Sequence, residues 1–206
     1  PPPAAGNGSA MRAGPVGLLA SDPDRIVSMA VDQGRLTHQD SRCGAGAAAI
    51  ALGVSLAARE QTVRPLEFVE TIAESMGAVD AGFAAEVRRL TGWLGLPPKA
   101  AVHEIGRAGL AADYQDGWRG ISPFVVGSVL WALYAYLRSP DDPWSVYWTA
   151  IEVGGDVDTT AAMAGAMVGA RVGLSGLPEA ARQVNDQGAW GYDALAALCL
   201  RAPIST

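Results

Sequence analysis

Residues 152–173 read EVGGDVDTTAAMAGAMVGARVG. Gly154 and Gly155 free the backbone for a sharp turn, and Asp156, Asp158 and Thr159 follow as a D-x-D-T group. The Thr-Thr-Ala-Ala segment then opens a run of small residues that suits a helix with very close neighbours. Asp158 is the expected N-cap, its carboxylate accepting the unpaired N–H groups of the first turn. Two carboxylates and a hydroxyl at one helix start make a dense set of oxygen donors in an otherwise apolar region. Such a set suits a hard divalent cation, Mg2+ or Mn2+. The same four residues are equally a loop cap or a solvated turn, so the motif needs support from the rest of the chain.

The surrounding composition fits helices packed through small residues. The chain has 206 residues, 50% of them hydrophobic, and β-branched alternation is almost absent. One domain over residues 1–206 is expected, with a core of ordinary size. A formal charge of −6 argues against a general partner such as nucleic acid or an anionic membrane. It leaves room for one anionic small molecule held by backbone N–H groups. Cys43 and Cys199 are the only cysteines and form no metal-binding pattern; both are expected as reduced core thiols rather than a disulfide. No basic region followed by an apolar one marks a signal peptide. The longest nearly uncharged stretches, Gly44–Ala58 and Gly120–Leu137, fall short of a clean membrane span or carry Ser, Gly and Pro. A cytoplasmic protein, by default a monomer, is the expectation.

Ahead of the Gly-Gly-Asp loop, the pattern is helical throughout. Residues Pro1–Ala5 read as a linker that cannot pack, and Gly6, Asn7, Gly8 and Ser9 form a glycine loop. Ser9 is placed to cap a short helix from Ala10, and such a loop offers N–H groups to a phosphate. Asp22-Pro23-Asp24 starts a helix through Gln33, and Asp40 or Ser41 caps a long Ala/Gly-rich helix from about Cys43 to Arg59. His38 lies between them. Apolar spacing predicts helices over Pro65–Met76, Ala81–Leu96 and Lys99–Ala108, with His103 and Arg107 on a solvated face. Tyr114–Gly120 is a loop rich in turn formers and aromatics. Ser122 caps a buried central helix over Phe124–Leu137, with Pro123 in its first position. A helix from Trp144 to about Val153 runs into the Gly-Gly-Asp loop. Glu179–Val184 and Tyr192–Leu200 complete the set, the latter closing the domain. The fold class is all-α.

In this order and spacing, three stretches resemble the ADP-ribosylglycohydrolase family: GNGSAMRAGPVG at residues 6–17, LTHQD at residues 36–40 and GGDVDTTAAMAGA at residues 154–166. The resemblance spans nearly the whole chain. It implies an orthogonal helical bundle of the ADP-ribosylglycohydrolase type around a two-ion Mg2+ (or Mn2+) site. The reaction it implies is cleavage of an N- or O-glycosidic bond to ADP-ribose, with ADP-ribose or an ADP-ribosylated protein as partner. Carried over residue by residue, Asp156, Asp158 and Thr159 become metal ligands. Gly6, Asn7, Gly8 and Ser9 line the ADP-ribose groove, and His38 stands beside it.

One departure limits the likeness. The family carries an earlier segment with a catalytic acidic residue and a T-D-D-T metal motif. Here the only adjacent aspartates, Asp141-Asp142, lie in a Pro-flanked loop. The resemblance therefore implies a chain lacking that N-terminal segment, with its main catalytic acid upstream of Pro1. The alternative is a non-catalytic ADP-ribose-binding or structural member.

Overall fold

The computed structural model describes residues 5–114, 117–182 and 188–201. Among these residues there is no β-strand, and the α-helices in chain order are α1 (Pro23–Arg35), α2 (Ser41–Arg59), α3 (Pro65–Met76), α4 (Ala81–Arg89), α5 (Pro98–Ile105), α6 (Val125–Arg138), α7 (Pro143–Ile151), α8 (Val157–Gly176), α9 (Glu179–Arg182) and α10 (Tyr192–Cys199). Single 3-10 turns lie at Asn7–Ser9, Gly14–Leu18 and Leu90–Gly92. The all-α class expected from the sequence is the class observed.

Two helices form the centre. α6 is buried from Val125 through Leu137, and its Trp131, Tyr134 and Tyr136 are among the largest fully buried side chains. Each such burial stabilises the fold by about 1.5–3 kcal/mol, so α6 anchors the core. Two buried polar groups on it are matched: Trp131 Nε1 donates to Ala150 O at 3.0 Å, and the Tyr134 hydroxyl donates to Leu96 O at 2.6 Å. α2 lies against it, buried from Cys43 through Ser55. Its glycines admit neighbours at short range: a Cβ on Gly53 would stand 2.8 Å from Met167 Sδ. Among the described residues, α2 alone could cross a membrane by length and composition, more than the sequence reading allowed. However, 78% of its most apolar window is buried inside the protein, as befits a core helix.

Several boundaries differ from expectation, each for a local reason. Asp22 and Asp40 cap α1 and α2 by accepting from Arg25 N and Arg42 N. Asp158 does not cap α8. The helix begins at Val157, so Asp156 holds the cap position and Asp158 sits in the first turn. Ser122 is likewise displaced as a cap, because the extended segment through Phe124 pairs with other backbone before α6 begins. Ser9 starts no helix; its hydroxyl donates to Cys43 O at 2.9 Å. The helix expected over Ala81–Leu96 stops at Arg89 and tightens into the 3-10 turn. Ala5, read as part of a linker, is 1% exposed and accepts from Val125 N, so the start of the described chain packs. α10 closes nothing: none of its residues is buried, and Cys199 is exposed while Cys43 is buried. The expected helix Glu179–Val184 runs partly outside the described residues.

Candidate functional site

Three backbone segments, remote in sequence, meet at the head of α6 and α8. Val125 N donates to Ala5 O and Asn7 N to Pro123 O, both at 3.0 Å, which bridges Gly6 antiparallel to Phe124. On the other edge, Ile121 N donates to Gly154 O at 3.2 Å and Asp156 N to Ile121 O at 2.8 Å, bridging Ile121 parallel to Gly155. Residues 121–125 are thus clasped between the glycine loop and the Gly-Gly-Asp loop. Gly154 and Gly155 take φ of +76° and +94°, and a Cβ on Gly155 would stand 2.0 Å from Ile121 O. Both the left-handed backbone and the close approach require glycine there.

That clasp brings side chains together. Asn7 Nδ2 donates to Asp156 Oδ2 at 2.6 Å, across 149 residues of sequence. Thr159 Oγ1 donates to Asp156 Oδ1 at 3.0 Å. Both donors are buried, Asn7 6% and Thr159 8% exposed, while Asp156 is half-buried and Asp158 exposed. The sequence reading directed Asn7 toward a ligand; the structure commits one of its two amide N–H groups to Asp156. Ser9, fully buried with its hydroxyl on Cys43 O, presents no side chain to a groove.

The glycine loop is fixed from behind. Arg12 donates to Gly8 O, Gln33 to Ser9 O and the Cys43 thiol to Gly6 O. Burial pushes that thiol up to about 11, with the nearby Asp40 carboxylate adding to the effect. His38 packs edge-on against the loop, since a Cβ on Gly8 would stand 2.7 Å from its Cε1 and 3.0 Å from its Nε2. At the start of α2, Arg42 makes a side-chain pair with Asp40, with Nη2 2.7 Å from Oδ2, and holds that carboxyl below its usual range. The Arg42 guanidinium also lies over the Phe124 ring.

A cleft of about 560 Å³ opens on the side of Gly120 and Val153. His103, Arg107, Tyr114, Trp118 and Arg119 line it. His103 and Arg107 are exposed, as their solvated-face reading required, but the structure adds that they converge on this cleft. No motif announces that grouping. The one signal in the sequence was the aromatic, turn-rich loop Tyr114–Gly120, of which residues 115 and 116 lie outside the described set.

As cation ligands, Asp156, Asp158 and Thr159 have suitable chemistry, hard oxygens on one helix start. They fit part of a shell. Among the described residues, no group of three or more His, Cys, Asp or Glu side chains is placed to hold a metal ion.

An all-α bundle whose glycine loop and Gly-Gly-Asp loop are clasped over one helix end defines the class. The chain belongs to the ADP-ribosylglycohydrolase family, whose model matches residues 1–204. Among curated proteins it is similar to the ADP-ribosylhydrolase ARH3 of Gallus gallus, 30% identical over 203 residues, covering 84% of this chain and 51% of that protein. The Bos taurus ADP-ribosylhydrolase ARH3 is 29% identical over 208 residues, covering 86% of this chain and 53% of that one. A solved structure described as an ADP-ribosylglycohydrolase-related protein complex shares the fold, with a TM-score of 0.60 at 24% identity over 85% of this chain and 53% of its own. The chain spans about half the length of the relatives it matches.

Proposed function

We propose that this chain carries the ligand-holding wall of an ADP-ribosyl hydrolase, which releases ADP-ribose from a modified protein side chain or a small conjugate. The supporting observation is the Asn7–Asp156 hydrogen bond. It joins the two family motifs into one surface, so a ligand on the glycine loop lies beside the Gly-Gly-Asp carboxylates. The diphosphate would rest along Gly6–Gly8 with His38 at its flank. Tyr114 and Trp118 offer flat apolar faces, and Arg107 and Arg119 positive charge, for the nucleotide end. In this reading, Asp156, Asp158 and Thr159 supply part of the shell of Mg2+ (or Mn2+), and the remaining ligands come from beyond these residues. A bound divalent ion there would hold ribose hydroxyls and acidify a water. Asn7 and Thr159 orient Asp156, and the clasp at Ile121 fixes the backbone that carries it.

The test is release of ADP-ribose from serine- or arginine-modified peptides, with and without chelator. Turnover that chelator abolishes, and that an Asp156→Ala, Asp158→Ala double variant lacks, supports the proposal; undiminished turnover in the double variant overturns it.

A second reading rests on the lack of a three-carboxylate cluster among the described residues: a non-catalytic ADP-ribose binder. Calorimetric binding of ADP-ribose without turnover favours it over hydrolysis.

A further inference from the structure

We infer that the cleft beside Gly120 and Val153 receives a nucleotide end that carries its own phosphate monoester, so that the preferred ligand is 2′-phosphorylated ADP-ribose. This deepens the proposed function, and it rests on that reading for placing the nucleotide end in this cleft.

The argument is one of charge and of hydrogen-bond type. His103, Arg107 and Arg119 line the cleft, and none of its described lining residues is acidic. That is a local reversal in a chain whose formal charge is −6. His103 and Arg107 stand four residues apart at the end of α5, so they project to the same side. Arg107 is tethered by Nη2, which donates to Ala112 O at 2.6 Å, and its other N–H groups remain to donate. Arg119 takes part in none of the ion pairs among the described residues. Its backbone is nonetheless anchored. The next residue, Gly120, takes a φ of +86° with a would-be Cβ 2.3 Å from Gly154 O, and Ile121 N donates to that same oxygen.

An unphosphorylated adenosine gives these groups nothing to neutralise. Its ring carries no charge, and its ribose hydroxyls are met best by a carboxylate that accepts from them. Nucleotide sites follow this division: an acidic side chain takes a free 2′-hydroxyl, and an arginine takes a 2′-phosphate. The cleft has the second set without the first. The diphosphate cannot account for the cations either, since in the proposed reading it rests along Gly6–Gly8. What remains is a second anion on the nucleotide, for which a guanidinium fork is the matching donor. Val102, Leu110 and Val153 give the cleft an apolar lining for the base. Its volume of about 560 Å³ falls within the range of about 300–1,000 Å³ usual for small-molecule sites.

Calorimetry on the whole chain compares ADP-ribose with 2′-phosphorylated ADP-ribose in the same buffer. The wild type should bind the phosphorylated ligand about tenfold tighter, the scale of one charge-assisted hydrogen bond, and added salt should shrink that advantage. Arg107→Gln and Arg119→Gln should each lower the preference, and the double variant should bring the ratio close to one. Arg119→Lys, which keeps the charge and loses the planar fork, should restore part of it. Equal affinity of the wild type for the two ligands overturns the inference and leaves the proposed function standing. A preference that survives in the double variant overturns it too, because the phosphate is then read elsewhere. If the wild type binds neither ligand, the proposed function fails, and 2′-AMP against adenosine decides the cleft. Tighter binding of 2′-AMP that the double variant loses supports the inference; indistinguishable binding of the two overturns it.

Discussion

Gly155→Ala should be among the most damaging single methyl additions in this chain. Two costs combine. An L-residue forced to a φ of +94° loses about 1–2 kcal/mol relative to glycine. The new Cβ would also stand 2.0 Å from Ile121 O and 2.5 Å from Ile121 N, so residues 121 and 155 must separate. Separation breaks Ile121 N→Gly154 O and Asp156 N→Ile121 O. Each such bond contributes about 1 kcal/mol, and Ile121 is buried, so its unpaired groups are not freely rehydrated. The sum is about 3–5 kcal/mol, which in a chain of this size lowers Tm by roughly 10 °C. Gly169→Ala is the matched control. Gly169 lies inside α8 with nothing within 4 Å of an added Cβ, and alanine there should stabilise by about 0.5–1 kcal/mol. Denaturant unfolding of both variants measures the difference. A Gly155→Ala midpoint within 1 kcal/mol of wild type would refute the clasp as described.

Four further outcomes follow from buried, exposed or paired groups. The Tyr136 hydroxyl is buried with no protein partner among the described residues, so Tyr136→Phe should leave stability unchanged or raise it by about 1 kcal/mol; a clear loss in urea unfolding would contradict this. Cys43 has its thiol pushed from 9.0 up to about 11. The folded state therefore holds this proton more tightly than the unfolded one. Its stabilising contribution is full below pH 9 and is lost as pH rises toward 11. Burial also raises Tyr134, Tyr136 and Tyr147, so the check is a stability–pH profile in which Cys43→Ala flattens that window specifically. In native protein, the exposed Cys199 should alkylate at neutral pH while Cys43 should not. Asn7→Asp would set a second carboxylate 2.6 Å from Asp156. Like charges at that range are strongly unfavourable unless a cation or a shared proton intervenes, so Tm should fall in chelator and recover with millimolar Mg2+. Equal Tm in both buffers would count against a cation at Asp156.

The helices were legible because their signals are local. Asp22 and Asp40 precede their helices in capping position, Pro23, Pro65 and Pro143 open first turns, and Phe124–Leu137 is apolar nearly all round. What escaped the sequence was pairing at long range. Nothing near Asn7 says that its amide will be taken by Asp156, because that depends on residues 121–125 lying between two loops. The same pairing displaced two expected caps. Ser122 lost its role because the backbone beside it forms bridges to Gly6 and Gly155, and Asp158 lost its role because Asp156 N is held by Ile121 O. The cleft escaped for a different reason. His103 and Arg107 are solvated helix residues by every local criterion, and only the fold of the loop ending at Gly120 turns them toward a common space.

Asp156 decides how far the candidate site can be carried. Its two oxygens already accept from Asn7 and Thr159, which could suggest a carboxylate that is structurally satisfied and chemically idle. A carboxylate has about four lone-pair sites, however, and these two bonds occupy only two of them. The two that remain belong to a half-buried group, aimed by two buried donors and by its own backbone N–H. Orientation of this kind is what an ion or a ribose hydroxyl requires of a ligand, since the ordering is complete before binding. A mere loop cap needs none of it, and Asp156 does no capping: its side chain accepts no backbone N–H from α8 although it occupies the cap position. The carboxylate is held toward its neighbours across the clasp instead of toward its own helix. That arrangement costs α8 its usual cap, which is what the binding role proposed for Asp156 would require.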